Sequence, residues 1–110
     1  MATQQGMADF IAEQAAAAGH ITTRKMFGEY GLYCDGKIVG LICDDMLFLK
    51  VTAEGEAFGG DLEQRPAYPG AKPSLLIPAE QIEDADWLSE LVRITEAALP
   101  TPKPKKKIKT

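Results

Sequence analysis

The sequence predicts an α+β domain with two layers, an antiparallel sheet and the helices near the two ends of the chain. Three observations support this class: a helical apolar stripe before Gly19, strand-like segments joined at Asp35-Gly36, and a second helical stripe before Pro100. Strands and helices in separate blocks along a chain are typical of α+β domains. The 110 residues, 45% hydrophobic and 25% charged, suffice for one domain, which we expect to span residues 1–99.

The first helix is predicted over residues 4–18. Its stripe has one polar member and otherwise apolar side chains at helical spacing: Met7, Phe10, Ile11, Gln14, Ala15 and Ala18. Four successive alanines favour a helix, and Gly19 suits the left-handed conformation that often ends one.

A three-stranded meander is predicted next. Asp35-Gly36 between two apolar runs is a strong signal for a two-residue hairpin loop, and Asp44-Asp45 predicts a second loop with weaker turn chemistry. Gly28 predicts a bulge or bend in a long first strand, and the alternative is a tight turn at Gly28-Glu29. The two loops set the expected register, with the pairs Tyr33–Ile38, Leu32–Val39, Gly31–Gly40, Tyr30–Leu41, Ile42–Leu47, Leu41–Phe48 and Gly40–Leu49.

The second half of the chain predicts one or two short strands between helices. Residues 53–58 suit a short helix, residues 65–73 form a turn-rich loop in which a short edge strand is an option, and residues 74–78 suit a strand. The last helix is expected to begin at Asp84 or Asp86 as N-cap and to stop at Pro100. Its buried stripe contains Trp87, Leu88, Leu91, Val92, Thr95, Ala98 and Leu99.

The two faces of the predicted meander differ in composition, because side chains alternate across a strand. One face is almost wholly apolar, with Gly31 beside Gly40, and we expect the helices to cover it. The other face is mixed, and its apolar part is the candidate interaction surface: Tyr30, Leu32, Val39, Leu41 and Phe48. Tyr30 and Phe48 would be its aromatic anchors. The alternative is that the last helix crosses to this side and buries it.

The residue chemistry points away from catalysis. Cys34 and Cys43 are expected at opposite ends of one hairpin, too far apart for a disulfide, and their spacing fits no common zinc site. His20 follows a helix-ending glycine and suits a capping or surface role. We therefore predict free thiols, no catalytic residue, no cofactor and no metal, so the protein is not expected to be an enzyme.

Charge and hydropathy indicate a cytoplasmic protein with a basic tail. No apolar run reaches the ~20 residues of a membrane helix, and no signal peptide is evident. Residues 1–99 hold seven basic and all 16 acidic side chains, a net charge of −9, which opposes non-specific nucleic-acid binding. Residues 100–110 are predicted to be a disordered, proline- and lysine-rich tail. Its five lysines are a solubilising end or a weak polyanion contact: Lys103, Lys105, Lys106, Lys107 and Lys109.

Two blocks of the chain, "RKMFGEYGLYCDG" and "VGLICDDMLFLKV", resemble the N-terminal domain of the TfoX family of bacterial competence regulators. The points of resemblance are Arg24, Met26, Phe27, Gly28, Gly31, Leu32, Tyr33, Leu47, Leu49 and Lys50. The later "PSLLIPAEQIEDADWLSEL" is similar to the end of that domain, so the resemblance covers residues 10–99.

The resemblance implies an α+β domain with an antiparallel sheet and a regulatory role, with transcription of DNA-uptake genes as the best-known output. The full regulators have a second, helical domain, whereas a lysine-rich tail follows Leu99 here, so we expect a stand-alone member of the family. The predicted function is a regulatory or adaptor domain that contacts a protein partner or a second copy of itself. The alternative is a nucleic-acid-associated protein that uses the tail, and no membrane contact is expected.

Overall fold

The computed structural model describes residues 4–100, which form one sheet with helices packed on it. The strands are β1 (Ile21–Met26), β2 (Glu29–Cys34), β3 (Lys37–Cys43), β4 (Met46–Leu49), β5 (Gln64–Pro66) and β6 (Pro73–Ile77). The helices are α1 (Gln5–Gln14), α2 (Ala53–Gly59), α3 (Ala79–Ile82) and α4 (Ala85–Ala98), and Ala16–Ala18 form a 3₁₀ turn. The sheet is antiparallel throughout, in the order β1-β2-β3-β4-β6-β5.

One hydrophobic core lies between the helices and one face of the sheet. It joins side chains of α1, α3 and α4 to side chains of the central strands: Ala8, Ile11, Ala15, Tyr30, Leu32, Cys34, Val39, Ile42, Leu47, Leu49, Leu75, Ile77, Ile82, Leu88, Leu91 and Val92. The predicted α+β fold is confirmed, with six strands instead of the expected four or five. Within residues 4–100, no helix combines the length and the apolar composition needed to cross a bilayer.

Three two-residue turns connect the first four strands. The expected loops at Asp35-Gly36 and Asp44-Asp45 are confirmed, and all four residues have the positive φ that such turns require. The third turn is Phe27-Gly28, with φ values of 53° and 83°, and it pairs β1 with β2 as a separate hairpin. Both predictions for Gly28, a bulge and a turn one residue later, were therefore wrong. The meander has four strands, not three.

A β-bulge separates the observed register from the predicted one. The β3–β4 pairs Ile42–Leu47, Leu41–Phe48 and Gly40–Leu49 match the prediction. Between β2 and β3 the register shifts by one residue after the pair Tyr33–Ile38. The next pairs are Leu32–Gly40, Gly31–Leu41 and Tyr30–Ile42, so Val39 is the extra residue. Such an insertion changes which side chains share a face beyond it.

The last helix is fixed at both ends by side chains. At its start, Asp84 Oδ1 accepts a hydrogen bond from the Trp87 N–H at 3.1 Å, which confirms Asp84 as the N-cap. At its end, Lys37 Nζ donates to the carbonyl oxygens of Glu96 and Leu99 at 3.0 and 2.9 Å, and pairs with the Glu96 carboxylate at 3.1 Å. A cation at this end also complements the helix dipole. Leu99 therefore lies beside the start of β3.

Candidate functional site

The five residues of the predicted interaction surface lie on two different faces of the sheet. Tyr30, Leu32 and Val39 belong to the core beneath the helices and are 7%, 0% and 0% exposed. Leu41 and Phe48 pair with each other and lie on the opposite face, because their neighbours Ile42, Leu47 and Leu49 are in the core. The bulge at Val39 causes the separation. The prediction that these five residues form one surface was therefore wrong.

Helices cover one sheet face, and we call the opposite one the open face. Across the sheet its side chains include Arg24, Met26, Tyr33, Ile38, Leu41, Cys43, Met46, Phe48 and Leu76. Several of the apolar members are only partly buried, whereas Phe48 is 2% exposed between its cross-strand neighbours Leu41 and Leu76. The alternative prediction, that the last helix crosses to the side of Phe48 and buries it, was also wrong.

Gly31 lies on the open face and does not admit a helix, contrary to the expectation from the adjacent glycines. A Cβ at Gly31 would collide with the Met26 methyl group and lie 3.1 Å from Tyr33 Cε1. The Met26 side chain therefore fills the space above this glycine. The Arg24 guanidinium lies 5.6 Å from the centre of the Tyr33 ring, a cation–π distance that holds the edge of this cluster together.

A groove of about 1060 Å³ crosses the open face. Apolar side chains of the meander line it at one side, and the β5–β6 loop lines it at the other. The side chains with most bearing on its chemistry are Met26, Phe27, Ile38, Leu41, Cys43, Lys50, Tyr68, Lys72 and Leu99. This volume is slightly above the ~300–1,000 Å³ typical of small-molecule pockets, and the groove is partly open to solvent, which suits an extended ligand.

Phe27 lies at one end of the groove and is unusual in two respects. Its side chain is 103% exposed, so it packs against nothing within the described residues. Its φ of 53° is a left-handed conformation that costs a residue with a Cβ roughly 1–2 kcal/mol. Asparagine, aspartate and glycine are preferred at this turn position. The domain therefore keeps an exposed aromatic ring where folding alone would favour another residue.

The charged groups of the groove are mainly basic. Lys50 and Lys72 line it and are exposed, and within residues 4–100 neither forms an ion pair. Glu29 also lines the groove, but its Oε1 accepts a hydrogen bond from the Asp44 N–H at 3.1 Å. The groove thus offers free cations beside apolar surface.

The cysteines and the histidine occupy structural positions. Both cysteines are free thiols; Cys34 lies in the core and Cys43 on the open face. Burial, with the negative charges of Asp35 and Glu96, raises the pKa of the Cys34 thiol to about 11, and burial also raises the pKa of Cys43. Neither is a thiolate near neutral pH, which disfavours nucleophilic chemistry. The His20 N–H donates to Asp35 Oδ1 at 2.8 Å, tying the end of the first helical segment to the β2–β3 turn.

Within the described part of the chain, no three His, Cys, Asp or Glu side chains come together to hold a metal ion. The tail lysines of the second predicted site lie outside the described residues: Lys103, Lys105, Lys106, Lys107 and Lys109.

A sequence model of the TfoX N-terminal domain matches residues 13–99. The chain belongs to the TfoX N-terminal domain family. It is also 42% identical over 106 residues to an uncharacterised 12.7 kDa protein in the trpE 5′ region of Spirochaeta aurantia. That match covers 96% of this chain and 91% of the relative, so the similarity extends over nearly the whole of both proteins. Membership of the TfoX N-terminal domain family suggests a regulatory domain related to competence.

Sequence reasoning missed the groove in this TfoX N-terminal domain. Phe27 and Met26 counted only toward the family resemblance, and Lys50 and Lys72 were not singled out as a pair. One signal was available: Phe27-Gly28 lies between two runs that contain β-branched and aromatic residues, and a glycine in second position is typical of a two-residue hairpin turn. That turn would have placed Phe27 at an exposed tip.

Proposed function

We propose that this chain is a non-catalytic regulatory domain that binds a partner protein in the open-face groove. The observation that carries the proposal is the groove itself: apolar surface on an uncovered sheet face, with the fully exposed Phe27 at its end. Apolar patches of this kind often mark interaction sites, and exposed aromatic side chains are frequent anchors in them. Family membership supports a regulatory output, and we propose transcription related to competence, in the cytoplasm, as that output.

The test replaces Phe27, whose side chain packs against no other residue in the described part of the chain. A deletion strain of the native bacterium is complemented with wild type, Phe27→Ser or Leu41→Asp, and its transcripts are sequenced. We expect both variants to lose the regulation that wild type restores, with Leu41→Asp checked for folding by circular dichroism.

The matched control is Phe10→Ser, which removes a 38% exposed phenylalanine from α1, on the helix layer. It should restore regulation as wild type does. Folded Phe27→Ser and Leu41→Asp proteins that restore full regulation would contradict the proposed function.

A second candidate function is weak binding of nucleic acid through the tail, favoured by the five lysines that follow Pro100. Five lysines neutralise at most about five phosphates, so the slope of log affinity against log salt should be no steeper than about −4.5. Removing residues 100–110 should abolish the binding. If the truncated chain, with its net charge of −9 from seven basic and 16 acidic side chains, still bound DNA at moderate salt, this candidate would be wrong.

A further inference from the structure

Resting on the proposed function, we propose that the open-face groove takes an acidic segment of a partner protein that carries bulky apolar side chains. Its carboxylates would lie against Lys50 and Lys72, and its apolar side chains would lie toward Met26 and Phe27. The argument rests on where the domain places its charges, how the groove is polarised along its length, and which other occupants its charges repel.

Charge is divided between the two layers. The four helices carry eight acidic side chains and one basic side chain: Asp9, Glu13, Glu54, Glu56, Glu80, Asp86, Glu90, Glu96 and Arg93. The six strands carry four basic side chains and one acidic side chain: Arg24, Lys25, Lys37, Arg65 and Glu29. Two of these basic side chains lie on the helix side, since Lys25 pairs with Tyr30 of the core and Lys37 contacts the end of α4. The open face carries Arg24, Lys50 and Lys72 against Glu29, so it is the more basic side of an acidic domain. An acidic segment is attracted to the open face and repelled by the helices, which would orient its approach.

The groove is polarised along the strands. The register places Met26, Glu29 and Cys43 at one end of the meander, next to the Phe27-Gly28 turn. At the other end, the Lys50 N–H donates to the Val39 carbonyl oxygen at 2.8 Å, which puts Lys50 four residues along β3 from Cys43. At ~3.3 Å per residue the two ends are ~13 Å apart. An extended segment of four to six residues spans that distance.

The free lysines decide the charge of the occupant. Lys50 and Lys72 have no ion pair within the described residues, and the Glu29 carboxylate lies at the other end of the groove, where it accepts a backbone hydrogen bond. A basic segment, including this chain's own lysine-rich tail, would be repelled at that end. The phosphates of a nucleic acid could pair with the two lysines, but its further phosphates would be repelled by the acidic domain. The apolar surface around Leu41 would then have few contacts with the ligand. A short acidic segment with apolar side chains satisfies both parts of the groove.

The test uses nuclear magnetic resonance titration of the isotope-labelled full chain with three synthetic peptides, EDFLDE, KKFLKK and EDSSDE. We expect EDFLDE to shift the amide signals of Phe27, Leu41 and Lys50 saturably, with an affinity at least tenfold higher than either other peptide. The double variant Lys50→Glu/Lys72→Glu should bind EDFLDE at least tenfold more weakly and should prefer KKFLKK. The control is Lys25→Glu, an exposed change on β1 outside the groove lining, which should leave the preference intact.

Four results would overturn the inference. They are equal binding of KKFLKK by wild type, absence of saturable binding of EDFLDE, stronger shifts of the same amides by hexathymidylate, and a dimer in light scattering that Leu41→Asp dissociates. The last two would assign the groove to nucleic acid or to a second copy. If these occur while Phe27→Ser still abolishes regulation, only the occupant is wrong. If groove variants regulate normally, the proposed function itself fails.

Discussion

Replacing Phe27 by asparagine should make the domain more stable while weakening its interaction with a partner. The turn residue has a φ of 53°, and its side chain is fully exposed, so the substitution removes no packing contact. Asparagine tolerates the left-handed region because its short polar side chain bonds locally, and Asn-Gly is the preferred pair for this turn. The product, an Asn-Gly turn, resembles the Asp35-Gly36 turn already present one hairpin later.

The size of the effect follows from the backbone. A residue with a Cβ in the left-handed region costs roughly 1–2 kcal/mol, of which asparagine recovers a part, so we expect a gain of about 1 kcal/mol in the free energy of unfolding. For a domain of this size, that corresponds to a rise of about 4–8 °C in Tm. Differential scanning calorimetry and urea titration of the full chain measure both quantities.

Phe27→Ala is the matched control, since alanine removes the ring but keeps the backbone cost. Its stability should equal that of wild type within about 0.5 kcal/mol, the usual range for exposed sites. Both variants should lose regulation to the same extent. A Phe27→Asn protein that is less stable than wild type would refute the reasoning, because it would mean that the ring packs within its own chain.

Three further predictions concern the sheet and the core. Gly40→Ala should cost several kcal/mol in unfolding free energy, since its Cβ would collide with the Phe48 carbonyl oxygen. Gly31→Ala should cost only about 1 kcal/mol, because the flexible Met26 methyl group can move away from the new Cβ. Equal losses for the two variants in urea titration would contradict this explanation. Lys37→Met should cost about 2 kcal/mol by leaving the end of α4 and the Glu96 carboxylate without their cation, while exposed Lys25→Met should cost less than about 0.5 kcal/mol. Because the pKa of Cys34 is raised in the folded state, its thiol contributes to the free energy of unfolding. This contribution is fully present below the ordinary thiol pKa of 9.0 and is lost as pH rises through about 11. Unfolding free energy should therefore fall less steeply between pH 9 and 11 in Cys34→Ala than in wild type, and parallel pH profiles would contradict that assignment.

Local turn chemistry was the part of the fold that the sequence predicted best. Asp35-Gly36 and Asp44-Asp45 contain residues that adopt positive φ, so both loops were recognisable, and the second loop fixed the β3–β4 register correctly. Phe27 is a poor residue for the same conformation, so its turn was missed and β1 was merged with β2. The preference of aspartate, asparagine and glycine for positive φ identified two turns and missed the third, because Phe27 does not share it. We propose that Phe27 is kept at this position for function and at a cost in local stability.

The groove was beyond sequence reasoning for a different reason. It depends on the β5–β6 loop, which brings Tyr68 and Lys72 beside the meander, and on which sheet face the helices cover. Neither follows from local pattern. The candidate surface was derived from a register with no bulge, so the shift after Tyr33–Ile38 moved Tyr30, Leu32 and Val39 into the core and left Leu41 and Phe48 outside it.

The bulge at Val39 brings the most apolar sides of β2 and β4 to the same face of the sheet. Without it, Leu32 and Tyr30 would share a face with Leu41, Phe48 and Lys50, as the unbulged register requires. Covering that face with helices would bury the Lys50 charge and expose Leu47 and Leu49, and covering the other face would expose Tyr30 and Leu32. The extra residue lets β2 and β4 direct their most apolar sides to the same core while Lys50 remains in the groove.

Deleting Val39 should keep the assignment of the two faces, because the remaining residues then pair as Leu32–Gly40, Gly31–Leu41 and Tyr30–Ile42 with no extra residue between them. The deletion removes a fully buried side chain and the carbonyl oxygen that accepts from the Lys50 N–H, so it should cost about 2–4 kcal/mol in the free energy of unfolding and leave a folded domain. Val39→Ala is the control: it keeps the bulge and should cost about 1–2.5 kcal/mol for the lost side-chain volume alone. Circular dichroism with urea titration compares the two variants with wild type. An unfolded deletion variant would show that the domain needs the bulge for more than the assignment of its two faces.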